Sequence, residues 1–308
     1  MGLPALSGGD RKKGPRRLDY DVTLIAGHRE ALLARTLESF TRDVFPNFRI
    51  RRLIANIDRF MGDEAEGDRC EALIRRHFPD ALIFRPEVPD FASAVRRTWE
   101  ATSAPRVLHL EDDWIALEPI RPDRIEPLFE PDVGAVTFMC VSKHTRGLHH
   151  QTSRRLVKRG RKVLEDKLVN AFSTSPGVFE GAFLREAVRR MLPGLDPEKQ
   201  FYRQINRALE EHALPRRCMF LRGSTHRELI ADIGRQARAD VGLVKLYENG
   251  ASVRPRAVQD RQRPRGCRRS LPLRLVRRFP CRGPCGRPRG RRSGRRWSEG
   301  RSTAGGRA

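Results

Sequence analysis

Three successive carboxylates, Glu111, Asp112 and Asp113, follow the apolar run Val107, Leu108, His109 and Leu110, and Trp114 closes the cluster. A buried strand that delivers adjacent acids at its carboxyl end sets hard oxygen donors at the mouth of a sheet, where α/β proteins bind ligands. Such donors suit Mg²⁺ or Mn²⁺ carrying a diphosphate. Asp also favours turns and solvent, so a plain polar turn accounts for the same residues.

Other residues with chemistry are scattered along the chain. Gly27, His28 and Arg29 form a polar turn after the first apolar run. Asp196, Pro197 and Glu198 combine an N-capping residue with a good first helical residue, so capping alone explains the first two. His226 lies between Arg222 and Arg227 in a segment that reads as surface. From Lys143 to Lys167 the chain is strongly basic, with His144, Arg146, His149, His150, Arg154 and Arg155 among others. This stretch predicts a solvated loop, or a lid over phosphates or an acidic acceptor.

The elements that must position these residues alternate. A strand over Asp21 to Ala26 leads through Gly27 into a helix with Leu32, Leu33, Thr36, Leu37 and Phe40 on one stripe. Ile50 to Ile57 is a second strand, ending beside Asn56 and Asp58, and Leu73, Ile74, His77 and Phe78 mark a second helix. Ala81 to Phe84 is a short third strand. Asp90 caps a third helix carrying Phe91, Val95 and Trp99, and Arg106 to Leu110 is the fourth strand. Alternation of this kind predicts an α/β fold with a mostly parallel sheet covered on both faces. Further on, the pattern predicts a strand over Gly134 to Val141, an extended Ala171 to Phe179 broken by Pro176 and Gly177, and helices over Ala182 to Met191 and Pro197 to His212. The second of those helices would place Phe201, Ile205 and Leu209 on one stripe. A strand over Cys218 to Leu221 and a mixed helical segment over Glu228 to Leu243 complete the pattern.

Charge is concentrated at the ends. From Ala251 onward there are 19 arginines, no lysine and two acids, a net +17 of the chain's +24; residues 1 to 17 hold a further net +4. The organisation expected is a disordered basic leader over 1–18, a folded domain over 19–248 with halves at about 19–118 and 119–248, and a disordered basic tail over 249–308. The tail lacks lysine, a Gly-Arg repeat and interleaved aromatics, which argues against a nucleic-acid arm. Its Arg, Gly, Pro and Ala composition matches GC-rich codons read in a shifted frame. Cys70, Cys140 and Cys218 fit isolated thiols of a reduced compartment, and Cys281 and Cys285 have no matching second pair for zinc. No apolar run of signal-peptide or membrane-spanning length is found, so a cytoplasmic protein is expected, at most peripheral to a membrane.

These residues together resemble the GT-A-fold glycosyltransferases, particularly the family 2 type, over about residues 20 to 245. The resemblance rests on Ala26-Gly27-His28-Arg29, on Thr36-Leu37-Glu38-Ser39, on the acids at the fourth strand's end, and on the step from Gly194 through Leu195, Asp196, Pro197, Glu198 and Lys199 to Gln200. Asp90 and Ala92 stand where Asn and Ala are usual, and Pro197-Glu198 where Glu-Asp is usual. The resemblance implies that Gly27, His28 and Arg29 cradle a nucleotide and that Asp58, with Asn56 beside it, contacts base or ribose. It places Asp113 directly on a Mn²⁺ or Mg²⁺ ion with Glu111 nearby, Asp112 being the second choice and a nucleotide contact. His226 would be a third metal ligand. Glu198, with Asp196 as understudy, would take a proton from an acceptor hydroxyl.

The activity so implied moves a sugar from a nucleoside diphosphate sugar to a hydroxyl on a glycan, a lipid-linked molecule or a small molecule. A nucleotidyltransferase on a related fold, an arginine-rich nucleic-acid-binding protein and an inactive truncated transferase remain the alternatives.

Overall fold

The first strand is buried over eight of its nine residues, and its two faces go to two different cores. On β1 (Asp19–Gly27), Val22, Leu24 and Ala26 pack with Leu33, Leu37 and Phe40 of α1 (Glu30–Asp43), while Ile25 joins the opposite core around Trp99. Burial on both faces is what a central strand of a helix-covered sheet requires.

The computed structural model describes residues 18–140, 153–159, 162–169, 172–201, 205–224, 228–240, 246–248 and 251–253. They all lie in one unit, Met1–Asp260. The leader over 1–17 and the tail beyond 253 lie outside the described residues, as does His226.

The chain continues through β2 (Arg49–Asp58), α2 (Glu64–His77), β3 (Leu82–Phe84), α3 (Phe91–Glu100) and β4 (Arg106–Glu111). After the acids come β5 (Trp114–Ala116), a helical turn α4 (Pro122–Ile125), β6 (Val133–Phe138), the pair β7 (Ser153–Arg159) and β8 (Lys162–Val169), β9 (Gly177–Glu180) and α5 (Gly181–Arg190). The last elements are α6 (Arg207–Ala213), β10 (Arg217–Leu221), β11 (Ile230–Asp232), α7 (Gly234–Asp240) and a small pair, β12 (Leu246–Glu248) with β13 (Ala251–Val253). Seven strands form the main sheet in the order β10-β6-β9-β4-β1-β2-β3. All pairings are parallel except those of β9, which runs antiparallel to both β4 and β6.

Helix starts follow local chemistry. Asp63 accepts from Glu66 N at 2.8 Å, and Asp90 accepts from Ser93 N at 3.0 Å, so each closes an orphan donor of its first turn. Glu180 does the same for α5, accepting from Phe183 N at 2.6 Å. Buried Asp21 holds the entrance to β4: its Oδ2 accepts from Ser103 N at 2.6 Å and Ala104 N at 2.8 Å.

Three expectations need correction. The helix drawn over Pro197 to His212 is a 3₁₀ turn, Lys199–Phe201, followed by the separate α6. Asn206 makes the break: it accepts from Leu209 N at 3.2 Å as a cap and donates to Arg190 O at 2.7 Å and Gln200 Oε1 at 2.8 Å. Phe201 and Leu209 still share one core. The mixed helical segment over Glu228 to Leu243 begins as strand β11, paired antiparallel to β5. Within the basic excursion after Lys143, the described backbone forms the antiparallel pair β7 and β8 rather than a loop. The segment expected to be extended up to Phe179 does form a strand, β9, which enters the main sheet against the direction of its neighbours. Among the described residues, no helix is long and apolar enough to cross a membrane.

Replacing Asp21 with Ala leaves the buried Ala104 N–H without an acceptor and the Ser103 N–H to solvent, a loss of about 2 kcal/mol of stability. Urea denaturation of Asp21→Ala measures it; a loss below about 1 kcal/mol contradicts this role for Asp21.

Candidate functional site

The acids stand in a tight turn between two strands, not at a free strand end. Only Asp112 and Asp113 separate β4 from β5, and β5 is held by β11 through the register Trp114 with Asp232. Backbone bonds fix the turn from both sides: Asp112 N donates to Ile25 O at 2.9 Å and Ile233 N donates to Asp113 O at 2.8 Å. From above, Thr36 Oγ1 on α1 donates to Asp112 O at 2.7 Å. Ser39, one turn further along, accepts from Ala116 N at 3.2 Å. The Thr-Leu-Glu-Ser step is therefore a brace for the acid turn.

The turn forms the floor of a cleft of about 900 Å³ at the carboxyl edge of β1, β2 and β4. Gly27, Arg29, Asp58, Glu111, Asp112, Asp113, Asp196 and Glu198 all line it. Eight of the ten residues singled out in the sequence thus meet in one cavity.

Their roles differ from one another. Asp112 is 1% exposed and turned inward: Oδ2 accepts from Gly27 N at 2.8 Å and from Arg29 Nε at 3.1 Å, and Oδ1 takes a second guanidinium N–H. Arg29 also reaches Asp113 Oδ2 at 3.4 Å and lies over the Phe60 ring, 5.6 Å from its centroid. Burial disfavours the Arg29 charge, but Asp112 and Asp113 outweigh it and hold the guanidinium firmly protonated. Burial, reinforced by Asp113, pushes the Asp112 carboxyl up to about 6 against the opposing pull of Arg29. The Gly27 N–H and both Asp112 oxygens are thus engaged with each other or with Arg29.

His28 needs the plainest correction. Its side chain is 2% exposed and packs flush on α2, where a Cβ on Gly67 would fall 2.4 Å from Nε2. It does not line the cleft, and only its backbone shapes the turn, by donating to Phe60 O at 3.0 Å.

Asp58, at the end of β2, accepts from Asn56 Nδ2 at 2.8 Å, and Asn56 in turn accepts from Arg97. Burial raises the Asp58 carboxyl, with the Asn56 hydrogen bond and Arg97 opposing. Next to it Met61 adopts φ +76°, a left-handed conformation unusual for a side chain of its size. Also in the cleft lining, Asp196 caps its own turn, accepting from Glu198 N at 3.1 Å and Lys199 N at 3.2 Å and pairing with Lys199 Nζ at 3.3 Å. Glu198 Oε2 accepts from Thr174 N at 3.3 Å, so Glu198 is the carboxylate there that reaches across to another segment.

Three contributors escaped the sequence reading. Asp232 and Thr174 line the cleft from segments remote in sequence. Asp232-Ile233-Gly234 carried a usable signal, an Asp accepting from Gly234 N at 2.9 Å just before a helix. Gly234 is also sterically required, since a Cβ there would fall 2.0 Å from Asp113 Oδ2. His109, wholly buried on β4, is pushed down to about 3 by burial and stays neutral; its Nδ1 accepts from Trp99 Nε1 at 3.0 Å.

The donor set suits a hard divalent cation. The acid turn already holds a cation, the Arg29 guanidinium, and its remaining chemistry is carboxylate oxygen. Among the described residues, no three Asp, Glu, His or Cys side chains converge as a complete cage. Mg²⁺ and Mn²⁺ do not need one, because one or two carboxylates plus substrate phosphates and water complete their shells.

By sequence, no known protein family and no curated protein matches the chain. Solved structures do. A mannosyltransferase from Pyrobaculum calidifontis, in complex with GDP-Man and Mn²⁺, is 15% identical with a TM-score of 0.43, covering 71% of this chain and 57% of its own. TarS of S. aureus is 11% identical with a TM-score of 0.46, covering 75% and 41%. GalNAc-T7, solved with UDP, GalNAc and Mn²⁺, is 12% identical with a TM-score of 0.45, covering 70% and 44%. The likeness is one of architecture. The chain spans about half the length of these proteins.

The Asp112 side chain should titrate above the ordinary carboxylate range, and Arg29→Gln should move it further up, because the guanidinium is the main influence that favours the ionised form. Carboxyl ¹³C NMR of the two proteins checks the sign; an unchanged or lowered pKa in the variant contradicts the assignment.

Proposed function

We propose that the chain transfers a sugar from a nucleoside diphosphate sugar to a hydroxyl acceptor. One observation carries this reading: a single cleft is lined both by a braced acid turn and by a separately anchored carboxylate, Glu198.

Each residue of the cleft takes one part in the proposed reaction. Asp58, at the end of β2 and held by Asn56, offers carboxylate oxygen to the nucleoside end of the donor. Asp113, with Glu111 nearby, would hold a Mn²⁺ or Mg²⁺ ion together with the diphosphate. A divalent cation there supplies charge neutralisation to the departing nucleoside diphosphate. Arg29 adds a fixed positive charge beside the same phosphates. Across the cleft, the Thr174 N–H orients Glu198, which takes the proton from the acceptor hydroxyl as that oxygen attacks the anomeric carbon. Asp196 and Lys199 shape the turn that presents Glu198. Direct displacement by the acceptor inverts the anomeric configuration. The acceptor class is left to a glycan, a lipid-linked molecule or a small molecule.

Two experiments test this. UDP, GDP or dTDP with Mn²⁺, at about a hundred times the dissociation constant, should stabilise the protein by about 2.7 kcal/mol in a thermal shift assay. Asp113→Asn should remove most of that gain, and no stabilisation by any of the three nucleotides counts against the reading. Glu198→Gln should keep the nucleotide-dependent shift and lower sugar transfer, followed as nucleoside diphosphate release, by about 10²- to 10⁴-fold. Undiminished turnover removes Glu198 as the base, and release of pyrophosphate instead identifies a nucleotidyltransferase.

A further inference from the structure

The two acids of the turn are not equivalent partners of Arg29. Asp112 receives two guanidinium N–H groups and the Gly27 N–H, in a place that is closed to solvent. Asp113 receives one long contact, 3.4 Å, from Nη1. Guanidinium is a planar fork, and its bidentate face is the strong one. The geometry therefore divides the pair into an anchor, Asp112, and a loosely held second partner, Asp113.

We infer that Arg29 is an internal counter-cation that withholds Asp113 from metal until a diphosphate arrives. The inference rests on the donor-site reading above and concerns how that site is loaded. A divalent cation entering alone meets a carboxylate already shared with a guanidinium that cannot lose its proton, and it is repelled by that charge. A diphosphate changes the balance because it offers Nη1 a new anionic acceptor. A phosphate oxygen entering the cleft competes with Asp113 for the Nη1 N–H groups while Nε and Nη2 stay on Asp112, and Asp113 is released to the ion. The Arg29 side chain is 10% exposed and belongs to the lining of the cleft that a phosphate would enter. The Phe60 ring beside it supports the cation in either arrangement. Metal and nucleotide then bind as a coupled pair, and by linkage each must raise the affinity for the other by the same factor.

The test measures Mn²⁺ binding to the full chain directly, by the electron paramagnetic resonance signal of free Mn²⁺, with and without UDP or GDP. In the absence of nucleotide, Arg29→Gln should bind Mn²⁺ at least tenfold more tightly than wild type. With nucleotide, wild type should gain at least tenfold in Mn²⁺ affinity, and Arg29→Gln should gain less than wild type. Circular dichroism confirms that the variant is folded; if it is not, the wild-type gain with nucleotide decides, and equal Mn²⁺ affinity with and without UDP and GDP overturns the inference. If Mn²⁺ and nucleotide bind wild type together but folded Arg29→Gln binds Mn²⁺ alone no more tightly, the gate is overturned and the donor site stands. If neither binds any form of the protein, both fail.

Discussion

A buried ion pair organises this protein. Arg29 and Asp112 meet where β1 gives way to α1 and β4 gives way to β5, so their contact ties the two central strands together at the edge that carries the cleft. A lone buried carboxylate there would be costly, and so would a lone guanidinium. Each is tolerable because of the other, and the Gly27 N–H shares the load. Thr36 then locks the same turn through its backbone carbonyl. Position, charge and helix docking all converge on two residues.

The cleft has two walls of different construction. On one side, β1, β2 and β4 bring their ends together through long parallel registers, which makes that wall rigid. On the other, Glu198 sits in a short turn held by Asp196, Gln200 and Asn206 side chains rather than by a ladder. Gly194, at φ +72°, lets the chain reverse into that turn. A rigid wall suits groups that must be held in fixed geometry, and a turn built from side-chain bonds suits a wall that must fit varied shapes.

Much of the first half was legible in the chain because its signals are local. The stripe Leu33, Leu37 and Phe40 declares a helix, the run before Glu111 declares a buried strand, and Asp90 declares a cap that the structure shows. What was hidden depends on partners far away in sequence. Three-residue β5 has too few positions to show a period, and only its pairing with β11 makes it a strand. The direction of β9 is set by its neighbours, and nothing in Gly177 to Glu180 records it. Asn206 splits a helical pattern because Arg190 and Gln200 stand ready to bind its amide, which the pattern alone does not reveal. At the site, residue types marked acids that line one cleft, but which of them faces inward depends on where Arg29 and Gly27 lie. His28 is the clearest case, since its polarity drew attention while its ring was filling a notch over Gly67.

The pairing of β5 with β11 has a temporal consequence. As the chain leaves the ribosome, the acids emerge with β4 and α1 already able to dock, but the Ile233 N–H that fixes the Asp113 carbonyl belongs to a segment made much later. Until that segment arrives, Trp114 has no strand partner and Asp113 lacks Gly234 against it. The nascent protein therefore carries an immature acid corner while the 120 residues after Asp113, up to Ile233, are made, and the corner takes its final form only when the polypeptide is nearly through the described domain.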